Sequence, residues 1–146
     1  MKISMGADHG GFVLKQQLTE LLKAKNIPFC DQGTHSVDPC DYPDFAIKVC
    51  QDLQQKVATH GILICKTGVG MDICANKMAG IRAAVILNEY SCKHARAHND
   101  INVMCLASEF TKEQDLEKLL HLFLSTPFEE GRHLRRVTKI NDLDKK

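Results

Sequence analysis

Apolar and polar positions along this chain fall into two alternating kinds of segment. Lys2 to Gly6 is a short apolar run, as a buried strand requires. From Phe12 to Lys25 the apolar residues Phe12, Val13, Leu14, Leu18, Leu21 and Leu22 recur near helical period. Ile27 to Cys30 predicts a second strand, leading into a loop that begins Asp31-Gln32-Gly33-Thr34-His35-Ser36. Asp41-Tyr42-Pro43-Asp44 opens a helix that continues through Phe45, Ala46, Val49 and Leu53. His60 to Cys65 is a third strand, and Gly68-Val69-Gly70 leads into a helix from Met71 to about Lys77. Ala83 to Leu87 and Ile101 to Leu106 predict two more strands, separated by a helix over Glu89 to Ala97. Lys112 to Ser125 places Leu116, Leu119, Leu120 and Phe123 on one helical face, and Thr126-Pro127 ends it. A last helix, basic in character, is expected over residues 129–146.

Strands that alternate with helices build a parallel sheet covered on both faces, with right-handed crossovers. The expected fold class is therefore α/β, a three-layer α/β/α sandwich around a five-stranded parallel sheet. Ligands of such sheets sit outside the carboxyl ends of the strands. The loops that begin at Gly6, Gln32, Cys65, Asn88 and Ala107 are the ones to inspect.

Length and charge narrow the classes further. A chain of 146 residues is one domain's worth and needs neither disulfide nor metal to fold. Nineteen basic against 18 acidic residues give a net charge of +1, too balanced for a general nucleic-acid binder. Two tyrosines and no tryptophan supply no stacking platforms for single strands. No apolar run approaches membrane-spanning length and the first residues carry no signal-peptide core, so a cytoplasmic protein is expected. Seven cysteines are scattered from Cys30 to Cys105 with no C-x-x-C pair, which suits buried reduced thiols better than a zinc site.

Four polar clusters carry candidate chemistry. Asp8-His9-Gly10-Gly11 sets a carboxylate beside an imidazole just before a helix, though a helix N-cap by Asp8 fits equally. In Cys65-Lys66-Thr67-Gly68-Val69-Gly70 a strand-terminal cysteine meets a glycine turn. The loop amides and the dipole of the following helix favour an anion there, a thiolate or an enediolate included. The spacing matches neither a dinucleotide G-x-G-x-x-G nor a Walker loop. His98-Asn99-Asp100 offers a proton shuttle, or simply a helix C-cap with Asn99 left-handed. Arg132 and Arg136 lie one helical turn apart and can fork onto one phosphate, or form a solvated basic face. His35, His60, His94 and His121 have no evident partner and are expected at the surface or in packing.

Taken together these pieces resemble the ribose 5-phosphate isomerase B family, which includes the galactose 6-phosphate isomerase subunits. The matching segments run in order along nearly the whole chain: Gly6-Ala7-Asp8-His9-Gly10-Gly11-Phe12, Asp41-Tyr42-Pro43-Asp44-Phe45-Ala46, Gly61-Ile62-Leu63-Ile64-Cys65, Thr67-Gly68-Val69-Gly70-Met71, Ala75-Asn76-Lys77, Gly80-Ile81-Arg82-Ala83-Ala84, His98-Asn99-Asp100 and Gly131-Arg132-His133. The resemblance implies a Rossmann-like fold and aldose–ketose isomerisation through a cis-enediolate, ribose 5-phosphate to ribulose 5-phosphate, in the pentose phosphate pathway. No cofactor and no metal are implied. Cys65 would be the base, Thr67 would assist proton movement, and the amides of residues 66–70 (Lys66, Gly68, Val69 and Gly70 among them) would hold the enediolate. Asp8 and His98 would open the furanose ring, with His98 as proton donor. His9, Arg132 and Arg136 would hold the phosphate, Asn99 the sugar hydroxyls, and Tyr42 would line the pocket. The resemblance also implies a homodimer, or a dimer of dimers, whose site is shared between subunits. His98, Asn99 and both arginines would come from the partner, with the C-terminal helix reaching it.

Two positions depart from the family pattern. Residue 66, usually glycine, is Lys66, and Glu109 stands where most such ribose 5-phosphate isomerases carry an arginine. Lys66 and Glu109 have opposite charges and are expected to compensate each other across the pocket. Glu109, like the acidic residue of a galactose 6-phosphate isomerase subunit, keeps galactose 6-phosphate, allose 6-phosphate or a tetrose phosphate as alternative substrates. A non-catalytic phosphosugar-binding homologue is the other alternative.

Overall fold

In the computed structural model, which describes residues 1–145, the strands are β1 (Ile3–Ala7), β2 (Phe29–Asp31), β3 (His60–Cys65), β4 (Ala83–Ile86) and β5 (Val103–Ala107). The helices are α1 (Phe12–Ala24), α2 (Tyr42–Gln54), α3 (Val69–Ala75), α4 (Glu89–Asn99), α5 (Glu113–Ser125) and α6 (Arg132–Asn141), followed by a 3-10 turn over Asp142–Lys145. All strand pairs are parallel, in the order β2-β1-β3-β5-β4. The expected three-layer α/β sandwich is therefore what the chain forms. β1 and β5 are buried along their whole length and β3 almost so, whereas β2, at the edge, is only half-buried.

Each face of the sheet has its own core. Leu14, Leu18 and Leu22 of α1, Cys92 of α4 and Leu116, Leu119, Leu120 and Phe123 of α5 cover one face. Ala46, Val49 and Cys50 of α2 with Met71 and Ala75 of α3 cover the other. Alternate residues of β3 divide between them: Ile62 and Ile64 enter the first core, Leu63 and Cys65 the second. The α1 helix is tied to the edge by an ion pair between Lys15, only 2% exposed, and Asp31.

The chain moves outward from β1 to β2 and then returns past β1 to β3, so the connections diverge at the β1/β3 boundary. The C-terminal ends of those two strands are where an open parallel sheet leaves a crevice. Register fixes what gathers there. Ala7 pairs with Ile64, and Cys65 pairs with Ala107. The loop after β1 therefore flanks Cys65 on one side and the loop after β5 flanks it on the other.

Most expected limits shift by one or two residues, and two shifts have a clear backbone cause. The helix expected from Met71 begins at Val69, because Gly68 takes a left-handed φ of +76° and turns the chain straight into it. The C-terminal helix does not begin at residue 129: Glu130 and Gly131 have φ of +54° and +53°, which no helix accommodates, and α6 starts at Arg132. Nor does it run to residue 146: α6 ends at Asn141 and a 3-10 turn over Asp142–Lys145 follows, while residue 146 itself lies outside the described residues.

Candidate active site

Cys65 closes β3 with its side chain 5% exposed, packed against the α2/α3 core. Its Sγ also accepts the backbone N–H of Gly68 at 3.1 Å. The thiol thus sits where the strand ends and the glycine turn folds back over it. The first-turn amides of α3 have no acceptor within their own helix; that of Val69 reaches the Thr67 hydroxyl at 3.4 Å. Gly70 is tight against Tyr42: a Cβ there would come within 3.0 Å of the ring. That contact places the Tyr42 ring against the Cys65 loop.

The other cysteines behave differently. Burial, reinforced by Cys74, pushes the Cys50 thiol up to about 12, and burial pushes Cys92 up to about 11. Cys105 is raised well above the ordinary thiol range by burial, with Asp72 adding to it. These three are inert packing groups. Cys30, Cys40 and Cys74 are half-buried rather than fully buried as expected.

The loop after β1 lies against this turn. The Asp8 carboxylate, 8% exposed in its residue, accepts the Gly11 N–H at 3.0 Å and so organises the start of α1. Gly11 permits this approach: a Cβ there would lie 2.4 Å from the Ile64 carbonyl oxygen. His9 Nδ1 accepts the Cys40 N–H at 3.2 Å, which makes Nε2 the proton-bearing nitrogen, a donor suited to a phosphate oxygen. The Lys66 side chain lies over Gly10, and Lys66 does not belong to the residues with positive φ. On the far flank, Ser108 N–H bonds to Cys65 O at 2.9 Å and Glu109 N–H to Lys66 O at 3.2 Å. The backbones of Lys66 and Glu109 are thus joined, but no ion pair links their side chains among the described residues. The expected charge compensation has no direct contact behind it.

The remaining candidates are elsewhere. α4 leaves the C-terminal end of β4 and returns to the N-terminal end of β5, so His98 and Asn99 stand at the opposite end of the strands from Cys65. β5 has five residues, so the two ends are about 16 Å apart at the usual rise per strand residue. Arg82, at the start of β4, holds this corner: its guanidinium donates to the carbonyls of Asn99 and Asp100, to the Asp100 carboxylate at 2.8 Å and to Asn141 at 3.0 Å. The left-handed cap is Asp100, at φ +46°, not Asn99, and this frees Asn99 to remain helical and exposed. α6 packs on α4, which brings Arg132 and Arg136 to the same corner. One chain therefore carries two separate clusters of candidate residues, Asp8–His9 with Cys65–Gly70 at one end of the strands and His98–Asn99 with Arg132 and Arg136 at the other.

His94, expected at the surface or in packing, packs in a ring column, 4.0 Å from Tyr90 and 4.9 Å from His98. The four-residue spacing Tyr90, His94, His98 on a helix is the signal that could have shown this column. Among the described residues one group has metal-ligand types close together, His98, Glu129 and His133. The two imidazole planes are within 3° of parallel and 4.2 Å apart, so their in-plane lone pairs do not meet at one ion. No helix among the described residues is long and apolar enough to cross a membrane.

The sequence profile of the ribose/galactose isomerase family matches residues 3–140. Ribose-5-phosphate isomerase B of Escherichia coli is 38% identical over 145 residues, covering 99% of this chain and 97% of the relative. The solved structure of ribose-5-phosphate isomerase B from Clostridium thermocellum superposes with a TM-score of 0.96 at 40% identity, covering 99% of this chain and 98% of that one. That of the Mycoplasma genitalium enzyme with bound ribulose-5-phosphate gives 0.94 at 39% identity, over 99% and 97%.

Proposed function

This chain belongs to the ribose/galactose isomerase family and is an isomerase, and from that membership we propose that it interconverts ribose 5-phosphate and ribulose 5-phosphate through a cis-enediolate. The observation that carries the reading is the Cys65 thiol held at the crevice end of β3 by the Gly68 amide. A thiolate there is a base of suitable strength, and the loop amides match the charge that forms when it acts.

In the proposed sequence, His98 gives a proton to the ring oxygen while Asp8 takes the anomeric hydroxyl proton, and the open aldehyde forms. The thiolate of Cys65 then takes the proton from C2, and the electron pair moves onto O1 as the enediolate. Thr67 and the first-turn amides of α3 hold that oxygen. With Thr67 assisting, the O2 hydroxyl proton passes to O1, the C2–O2 carbonyl forms, and the electron pair of the C1–C2 double bond takes the proton back from sulfur at C1, giving the ketose. His9 Nε2, Arg132 and Arg136 bind the phosphate, and Asn99 binds sugar hydroxyls. The separation of the two half-sites supports a homodimer in which the His98 end of one subunit completes the Cys65 end of the other. The relative whose structure holds ribulose-5-phosphate supports the five-carbon substrate.

Glu109, exposed at the crevice rim, favours testing larger sugars as well. The decisive experiment is a coupled assay on ribose 5-phosphate, allose 6-phosphate, galactose 6-phosphate and erythrose 4-phosphate with wild type and Cys65→Ala. Turnover of ribose 5-phosphate well above the others, abolished in Cys65→Ala, is the expected result. Turnover that survives Cys65→Ala, or no turnover of any sugar, would refute it.

A further inference from the structure

The cluster at the end of α4 contains two residues to which no role has been given, His133 and Glu129. His133 is 7% exposed and lies face to face with His98. Glu129 Oε2 stands 3.5 Å from His98 Nε2 and 3.8 Å from His133 Nε2. The Glu129 N–H donates to the Ala97 carbonyl at 2.9 Å, so the carboxylate is fastened to the helix that carries His98. His94 closes the remaining side with the edge of its ring, and its own Nδ1 donates to the Tyr90 carbonyl at 2.8 Å. His98 is therefore confined by a stacked ring, an orthogonal ring and a carboxylate. It is so confined although one-third of its side chain is exposed.

We propose that His133 and Glu129 are positioning residues that hold the His98 imidazole in the orientation needed to open the furanose ring, an inference that rests on the isomerase reading above. In that step the bond between C1 and the ring oxygen breaks, its electron pair takes the His98 proton, and the anomeric hydroxyl loses its proton to Asp8 as the aldehyde forms. His133 suits the task because it presents an uncharged face. Burial, with His98, Arg132 and Arg136 nearby, holds its imidazole below the ordinary range, and Glu129 opposes this only in part. A protonated His98 then stacks on a neutral ring rather than on a second cation. Glu129 supplies the negative charge facing the imidazolium edge.

The test separates ring opening from carbon-proton transfer. Ribulose 5-phosphate cannot close a five-membered ring, because O5 carries the phosphate. Wash-in of solvent deuterium at its C1 therefore requires Cys65 but no ring opening. Ribose 5-phosphate turnover requires both. The full-length variants His133→Ala, His133→Phe and Glu129→Gln are measured for both rates in deuterated buffer, with circular dichroism to confirm folding. His133→Ala and Glu129→Gln are expected to lower kcat on ribose 5-phosphate by at least ~10-fold and to leave exchange within about 2-fold of wild type. His133→Phe, which restores the stacked face, recovers most of the loss. Equal falls in both rates, or no fall in either, overturn the proposal. A wild type with no exchange at all overturns the isomerase reading instead. Should His133→Ala fail to fold, the other two variants decide by the same comparison.

Discussion

A site divided between two chains, as proposed, makes a quantitative demand. Cys65→Ala would remove one proposed half and His98→Ala the other, at ends of the strands about 16 Å apart in a single chain. Each homodimer is expected to lose at least 10²-fold in kcat, the contribution of one general acid or base. When the two variants are co-expressed with different tags, a heterodimer carries one site with both lesions and one with neither. Random pairing makes half of the dimers heterodimers, and each has one intact site of two. The mixture should then show about a quarter of wild-type activity, and the purified heterodimer about half. The readout is ribose 5-phosphate turnover of tandem-affinity-purified heterodimer against each parent. Activity at the parents' level would refute the shared site, because a chain that assembles its own site never contains both wild-type residues in this experiment.

Four further outcomes follow from particular contacts. Cys65→Ser keeps an acceptor for the Gly68 amide but replaces the proposed base with a much weaker acid, so kcat should fall by about 10²–10⁴-fold with little change in melting temperature; near wild-type kcat would exclude Cys65 as the base. Gly11→Ala drives a Cβ against the Ile64 carbonyl and should cost about 1–3 kcal/mol in urea unfolding, since backbone cannot rotate aside. Asp31→Ala strands the buried Lys15 ammonium and should cost about 3–5 kcal/mol, whereas joint replacement by Lys15→Met and Asp31→Val should restore much of it. Burial holds His60 below its ordinary range, so the unfolded chain binds the extra proton and stability should fall as pH drops below the ordinary histidine value near 6.5; His60→Phe should flatten that acid limb in thermal melts.

Much of the fold was legible in the chain because period and punctuation agreed. The apolar run His60 to Cys65 is the observed β3 without adjustment, and Leu116, Leu119, Leu120 and Phe123 are the buried face of α5. Errors fell where backbone conformation outweighs hydrophobic pattern. Glu130 and Asp100 adopt left-handed φ although neither is glycine, and no apolar period reports that. At the candidate site, the sulfur contact to the Gly68 amide lies where the residue types and spacing of Cys65 and its glycine turn led one to look. The distance between Cys65 and His98 was not legible, because it depends on strand order and on which end of the strands each loop leaves. Glu129 escaped notice for the same reason: it belongs to an irregular segment with no period, and only tertiary contact brings it to His98.

Lys66 and Gly10 show how a local departure from a family pattern is absorbed. A side chain at position 66 would be strained if the turn needed a left-handed residue there, but the turn places that conformation at Gly68 alone. What Lys66 does require is room, and it takes it over Gly10, where a Cβ would stand 2.6 Å from its Cγ. The Asp8 carboxylate oxygen lies 3.3 Å from the same point. The lysine stem and the carboxylate thus share the surface of one glycine at the crevice mouth. The Lys66 stem therefore packs on the Asp8 loop, where ring opening is proposed, and no ion pair joins it to Glu109 among the described residues. On this geometry Lys66→Gly and Glu109→Arg should act independently on kcat/KM, with a coupling below about 0.5 kcal/mol, while Lys66→Gly should couple to changes at Asp8. A large Lys66–Glu109 coupling would mean that the side chains meet across the crevice when substrate is bound, and that the charge balance at the rim is set by the pair.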